Sequence, residues 1–496
     1  MSGTPEADAA GAAGWHLAAP TALRAVRSAR GRAARSRRAA RATTRRPSSG
    51  RPPARTPVRP APWHLGVWAS VVLALASCRG GDRGTTLSVT NWADWSEIRL
   101  EQAYIDGFSR AHSGVRVSLE SVANQAEYRD LILTSIAAGT PPDVFLLDNI
   151  DIPAFVASGM LLDLAPYAAR VGLPLEAFDP EVLAIFRRGE RVYALPKGYT
   201  PMVIAYNKDV FDRFRVPYPP ERWTWEQFRA AARALTRDTD GDGAPDVYGF
   251  WLDRRDFVWI GSLWALGGDV LCPDGTRATG CLDGPASIWA FRALTGLATR
   301  DSVVPRYFGL RRSIGDQMRN FYSGRIAMVP FGHFWMPQVR PLMEQGRLRI
   351  GLAELPYREG LRPATVLYAS GFAVATNARH KKLSVELAAY MVDSLAQVTR
   401  AAGGLEIPAL SRIADLEAAA DTTGLEGVFR RAVRTGRMPW GARIAKWREV
   451  ENILPDILDR IVMNHEDVAA VLHDVARQID RALAPGPGAG ARGAGK

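Results

Sequence analysis

The stretch AAGTPPDVFLLD, residues 137–148, decides the fold, because it closes one element and opens another. The preceding YRDLILTSIAAGT (128–140) repeats apolar side chains at helical spacing. Gly139 and the Pro141-Pro142 pair end that helix, since proline has no N–H to donate and clashes with the turn before it. DVFLLD (143–148) is then a short continuous apolar run, the pattern of a strand buried on both faces. Working upstream, LSVT (87–90) predicts a strand, EIRLEQAYIDGFSR (97–110) a helix, and VRVSLESV (115–122) a second strand by period-two alternation. Strand, helix, strand, helix, strand in that order predicts an α/β protein with a largely parallel, doubly wound sheet.

A second unit follows. VYALPKGYTPMVIAYNKDVF (192–211) predicts strands leading into a helix start. WTWEQFRAAARALT (223–236) predicts a helix with Thr224 as its N-cap and Glu226-Gln227 in the first turn. YGFWL (248–252), RIAMVPF (325–331), RLRIGLAEL (347–355) and GFAVATN (371–377) are strand-like, while PASIWAFRALTGLAT (285–299) and SVELAAYMVDSL (384–395) are helical. Residues 447–484 are mostly helical with a break at Pro455, and the Gly/Pro/Ala-rich end, 485–496, predicts disorder.

The net charge of +12 suggests a nucleic-acid partner until it is located. Residues 1–62 hold 13 Arg, no Lys and two acids, Glu6 and Asp8. The remaining 50 basic and 49 acidic residues leave a net of +1, so no global field draws the folded part onto phosphate backbones. The leader is Arg/Ala/Pro-rich without apolar periodicity and is expected to be disordered. A basic arm for nucleic acid is one reading of it; a start placed too early, with the true start near Val58, is the reading we favour.

LGVWASVVLALASC (65–78) is too short to span a bilayer comfortably but has the length of a signal-peptide core. Its end, Leu75-Ala76-Ser77-Cys78, resembles the bacterial lipobox, which makes Cys78 the expected lipidated residue and 63–78 a lipoprotein signal peptide. The competing reading is a buried free cysteine at the end of an ordinary helix. Two further cysteines, Cys272 and Cys281 in CPDGTRATGC, flank a turn at Asp274-Gly275 and read as a hairpin that a disulfide can close, against the alternative of two free buried thiols. With Cys78 lipidated the count balances, which suits an oxidising compartment outside the inner membrane.

RDTDGDGAPDVYGF (237–250) carries Asp238, Asp240, Asp242 and Asp246 at calcium-loop positions 1, 3, 5 and 9, with Gly243 at 6. Position 12 is Gly249 where an EF-hand needs a bidentate Glu, and a strand follows instead of a helix, so a full EF-hand is excluded. The expectation is an Asp/Gly turn, with a structural Ca²⁺ at these aspartates as the alternative and no other cofactor required.

The chain resembles the extracellular solute-binding proteins of ABC importers, in the sugar-binding lipoprotein family 1. FSRAHSGVRVSLE, AAGTPPDVFLLD followed by ASGMLLDL, VYALPKGYTPMVIAYNKDVF with PPERWTWEQFRAAARALT after it, FYSGRIAMVPFGHFW and SGFAVATNARHKKLSVELAAYMV carry the match, in family order, from about residue 85 to 484. The resemblance implies a two-lobed periplasmic-binding-protein-like fold of type II, each lobe a doubly wound sheet flanked by helices, with the ligand in the cleft. Lobe one is expected to hold 87–199 and 357–405, and lobe two 200–356 and 406–484, after a linker at 79–86. It implies hinge closure around a small solute. It also implies delivery of that solute to ABC permease subunits by a monomer held outside the cytoplasm, in the periplasm or on the outer face, through its lipid anchor alone.

Sugars present apolar faces ringed by hydroxyls, which aromatic rings and polar side chains match. In NWADW, after the first strand, Trp92 or Trp95 is the expected stacking ring, with Asn91 and Asp94 as polar contacts, although one of the two Trp packs under the first helix. Asp148, Asn149 and Asp151 in DNID are candidate hydroxyl partners, with an N-cap for the next helix as the competing role. Tyr199 and Thr200 fall at the first lobe crossing. Of Trp259 and Trp264, five apart, one is expected to reach the cleft. His333, Phe334 and Trp335 follow the RIAMVPFG strand, and Phe334 or Trp335 is the strongest candidate. Ser370-Gly371 lies on the returning strand, and Trp447, like Trp440, is a further candidate. Phe334 stands where the family more often has Trp, and Thr200 where some sugar binders carry an acid, so disaccharide specificity is not carried over.

Other functions find less support. The seven His are scattered without H-E-x-x-H spacing, and neither a G-x-S-x-G elbow nor a phosphate loop is present, which weighs against an enzyme, including a carbohydrate-active one. Polyamines are the second ligand class, since LSVTNWADW also resembles the cation-binding branch and Asp94, Asp148 and Asp151 could ring an ammonium. A surface lipoprotein without a transport role is a third reading. No nucleic-acid partner is expected.

Overall fold

Gly139 takes φ +74°, a region glycine reaches without a Cβ clash, and there the Gln125–Ala137 helix gives way to β3 (Val144–Asp148). The computed structural model describes residues 84–93, 95–122, 125–305, 314–404 and 406–484, without the side chains of 95–96, 125–126 and 314–316. The leader (1–62), the signal segment with Cys78, most of the 79–86 linker, Asp94 and the tail (485–496) lie outside the described residues. β1 (Thr85–Asn91) runs parallel to β3 on one side and to β2 (Val115–Ser121) on the other, and the Trp95–Ala111 and Gln125–Ala137 helices make the crossovers. The first four residues of β3 are buried, while β2, at the edge, keeps one face exposed and so alternates in polarity.

The remaining strands are β4 (Arg187–Arg188), β5 (Arg191–Val192), β6 (Leu195–Pro201), β7 (Val203–Asn207), β8 (Tyr248–Phe250), β9 (Ile326–Phe331), β10 (Ile350–Ala353), β11 (Thr365–Ala373), β12 (Ile407–Pro408) and β13 (Gly436–Arg437). The larger sheet has the order β12-β6-β11-β3-β1-β2, with β13 beside the start of β11. β2, β1 and β3 are mutually parallel; β11 is antiparallel to β3 and β6, because it returns from the other half of the molecule, and parallel to the short β13. The smaller sheet, β10-β7-β9-β8, is antiparallel except for the β8–β9 pair, so the expected doubly wound arrangement holds for the first sheet's core and not for the second sheet.

The chain passes between the two sheets at Met202, between Ala353 and Thr365, and after Arg437. The last crossing lies later than the expected 405/406. β12 hydrogen-bonds β6 and β13 pairs with β11, so the chain still belongs to the first sheet at Arg437, with the Leu425–Val433 helix between them packed against both sheets. Local signals explain most helix starts. Thr224 and Gln227 form a reciprocal capping box, and the Asn207 carboxamide accepts from Asp209 N and Val210 N to open the Lys208–Phe214 helix. The expected 384–395 helix is two: Lys381–Tyr390 stops, and Asp393 caps Ser394–Gly403 through Ala396 N at 2.7 Å. Cys272 and Cys281 form a disulfide with Cα atoms 5.3 Å apart, closing a turn without strands rather than a hairpin.

A buried ion pair ties the first lobe together. Glu101 receives Arg400 Nε and Nη2 at 2.6 and 2.7 Å, and both side chains are out of contact with solvent. Burial alone would raise the Glu101 carboxyl, but Arg400 outweighs it and holds it below its ordinary range. Removing one partner strands the other charge, so Arg400→Met is expected to cost about 3–5 kcal/mol, whereas the pair replacement Glu101→Leu/Arg400→Met costs far less. Urea unfolding of both variants checks this; equal losses contradict it.

Candidate functional site

The C-terminal ends of β1 and β3 open beside β6 and β11. Together these two strand ends and the middles of β6 and β11 form one wall of a cavity of about 600 Å³. From them come Trp92, Asp148, Asn149, Gly198, Tyr199, Thr200, Tyr368, Ala369 and Ser370, brought level because Ser370 pairs with both Asp148 and Gly198. The opposite wall belongs to the second half: Asp256, Phe257 and Ile260 from the Asp256–Ala265 helix, Phe334, Pro337 and Gln338 after β9, and Trp447, Arg448 and Glu451 from a short helix. Ligands in open α/β sheets bind at such strand ends.

The floor is charged. Lys197 is 2% exposed and its ammonium donates to Glu97 at 2.6 Å and to Glu406, both of which line the cavity. Burial alone would push the Lys197 ammonium down, but Glu406 and Glu97 outweigh it and hold it above its ordinary value. Gly198 is required beside it, because a Cβ there would run into the Glu406 side chain. Asn149 is fixed by Ala369 N donating to its Oδ1 at 3.3 Å, which leaves its Nδ2 buried with no partner. Across the cavity, Tyr368 donates to Phe257 O at 2.9 Å, and Arg448 donates to Glu451 at 3.0 Å and to Asp151 at 3.1 Å.

The expected site residues divide cleanly. Trp92, Asp148, Asn149, Tyr199, Thr200, Phe334, Ser370 and Trp447 line the cavity. Trp92 stands edge-on to Tyr128, centroids 5.1 Å apart, and Phe334 is 39% exposed at the mouth. The Tyr199 hydroxyl is already taken by Arg430 at 2.7 Å, and Thr200 Oγ1 by His333 N at 2.7 Å. Trp95 begins its helix, and its side chain is not described.

Five expectations need correction. Asn91 is fully buried and spends its Oδ1 on Ala93 N, because it terminates β1 from within. Asp151 neither faces the cavity nor caps the next helix with its side chain; it is held by Arg129 and Arg448. Trp259 is buried against Phe291 with its Nε1 on Arg254 O, and Trp264 and Trp440 both donate to Asp269, so neither Trp259 nor Trp264 reaches the cleft. The His333 ring is buried against Phe429 and bonded to Glu426, while Trp335 turns into the core, leaving Phe334 as the ring at the mouth.

Sequence reasoning missed Lys197, Glu97, Glu406, Asp256, Phe257, Tyr368, Arg448 and Glu451. A lone Lys between Pro196 and Gly198 inside an apolar strand was the one local signal available. The aspartate loop lies elsewhere. Carboxylate oxygens of Asp238, Asp240 and Asp246 gather within 4.8 Å of one another, all exposed, and Asp242 stands outside the group. Asp238 accepts from Gly241 N and Gly243 N, and Asp246 from Thr239, so main-chain and hydroxyl donors already hold the turn.

Burial, reinforced by Glu451, pushes the Asp256 carboxyl up to about 7. Between about pH 4 and 7 the folded protein therefore keeps a proton that the unfolded chain has lost, and stability falls as pH rises through that window. Asp256→Asn is expected to raise the thermal midpoint relative to the parent at pH 8 and not at pH 4. Equal differences at the two pH values contradict this.

The profile of the bacterial extracellular solute-binding protein family matches residues 94–398. A Brucella abortus protein named as a binding protein is 24% identical over 436 residues, 85% of this chain and 98% of its own. A Streptomyces antibioticus lipoprotein is 25% identical over 402 residues, 76% of this chain and 80% of its own. Among solved structures, the ABC substrate-binding protein Lmo0181 of Listeria monocytogenes, in complex with cycloalternan, shares the fold with a TM-score of 0.70 at 19% identity, covering 80% of this chain and 99% of that one. With two sheets, three crossings and a cavity between them, the chain belongs to the bacterial extracellular solute-binding protein family.

Proposed function

We propose that this protein captures a sugar or oligosaccharide between its two lobes and delivers it to an ABC permease. The observation that carries the reading is the cavity itself. At about 600 Å³ it is of ligand size, and it mixes the rings of Trp92, Phe257, Phe334 and Tyr368 with the polar groups of Asp148, Asn149, Ser370 and Arg448. Rings cover the apolar faces of a pyranose, and carboxylates, an amide and a guanidinium meet its hydroxyls. The Listeria protein of the same fold is in complex with cycloalternan, and a Bacillus subtilis relative 22% identical over 367 residues is named a galactooligosaccharide-binding protein, which supports the same ligand class here.

The lobes close on the solute about the three crossings, with the Tyr368–Phe257 and Arg448–Asp151 contacts made across the cavity. The lipobox-like Leu75-Ala76-Ser77-Cys78 supports tethering outside the cytoplasm by a lipid anchor, and the Streptomyces relative named as a lipoprotein agrees with it. No helix among the described residues is long and apolar enough to cross a membrane. The protein binds its ligand and does not transform it.

Calorimetry of the mature chain against mono- and oligosaccharides tests the reading. Saturable binding with recovery of the sugar intact is expected, and Phe334→Ala should weaken it about tenfold by removing a stacking face. Binding of polyamines alone, or release of a shortened sugar, contradicts it.

A further inference from the structure

This inference rests on the sugar reading and narrows it. Charge in the cavity is not balanced. Among the described residues five carboxylates line it, those of Glu97, Asp148, Asp256, Glu406 and Glu451, against the single guanidinium of Arg448. Beneath the floor, Lys197 is shared by Glu97 and Glu406, and Arg448 is divided between Glu451 and Asp151. The excess falls on the second-lobe side. There Asp256, 6% exposed, lines the cavity with Glu451, as do Phe257 and Tyr368, whose rings meet edge to face with centroids 6.2 Å apart.

Asp256, buried beside the Glu451 carboxylate, has no ion-pair partner of its own among the described residues, and ionising it there is costly; an occupant bearing a cation relieves that cost. The strongly raised Asp256 carboxyl is the local sign of it, with Glu451 pushing it up and Arg448 pulling it down. Aromatic faces beside the carboxylates complement an ammonium as well as a sugar ring.

A cation alone does not satisfy the cavity. Asn149 is 1% exposed, its Oδ1 is engaged, and its Nδ2 donor is buried without a partner. It calls for an acceptor oxygen in the ligand. A fully protonated polyamine offers donors and no acceptor, and a neutral sugar offers acceptors and no charge. We propose that the solute is an amino-bearing sugar, its protonated amine facing Asp256 and Glu451 and a hydroxyl or ring oxygen accepting from Asn149.

The test is titration calorimetry of the mature protein with matched pairs: D-glucosamine and D-glucose, D-galactosamine and D-galactose, the β-1,4 glucosamine disaccharide and cellobiose. The expected result is that the amine member of at least one pair binds about tenfold or more tighter than its neutral partner. Asp256→Asn and Glu451→Gln, each checked for an intact thermal transition, should erase that advantage, so that amine and neutral members of a pair bind alike. If neutral members bind as tightly as their amines, or the advantage survives both variants, this inference fails and the sugar reading stands. If no member of any pair binds, both fail.

Discussion

Lys197 sits in β6 with its ammonium out of water between Glu97 and Glu406, and the shape of the cavity depends on that contact. Three segments distant in sequence meet there: the Trp95–Ala111 helix, the strand that leads into the second lobe, and the short link before β12. A buried ammonium is tolerated only when opposite charge surrounds it, so the lysine forces the helix and the link to stay where their carboxylates reach it. One turn further along the same helix, Glu101 locks Arg400, whose guanidinium also donates to Met391 O and lies over the rings of Tyr104 and Phe372. Gly198 then matters for a steric reason, because the Glu406 side chain occupies the space a Cβ would need.

From that floor several polar ties join the two halves. Thr200 accepts from His333 N where β6 gives way to the second lobe, Arg437 of β13 reaches Asp269, and Arg448 reaches back to Asp151. Each joins a side chain of one lobe to the other across a short distance, and two of them border the cavity. A solute placed between Trp92 and the Asp256–Ala265 helix touches both lobes at once, so its binding energy is coupled to their relative position. The acids and rings facing the first sheet's strand ends belong to that second half. The chemistry of the site is therefore complete only when the halves are together.

Much of the first lobe was legible. The Pro141-Pro142 stop, the apolar run to Asp148 and the period-two strand at 115–122 each report local physics, and local physics decided those elements. Strand direction was not legible in the second lobe, because an apolar run looks the same whichever way it is paired. The late crossing was missed for a similar reason: Ile407-Pro408 is a two-residue strand that exists only through its bonds to β6. Among the cavity-lining residues, Trp92 and Asn149 follow from where the parallel strands β1 and β3 stop, and Tyr199 and Ser370 from the strands that cross and return between the lobes. Trp259 was misplaced because its helix is apolar on every side and offers no stripe to orient it. Asp256 lies nearly two hundred residues from the Arg448–Glu451 pair and becomes its neighbour only after the last crossing, so no spacing in the sequence joins them.

A crystal structure of the mature protein with a bound oligosaccharide tests the central claim most directly. The account predicts the ligand between the two sheets, a sugar ring against Trp92 or Phe334, an oxygen within hydrogen-bonding distance of Asn149 Nδ2, and contacts from both the β3 end and the Asp256–Ala265 helix. A ligand seated elsewhere, or held by one lobe alone with Asn149 still unpaired, would contradict it.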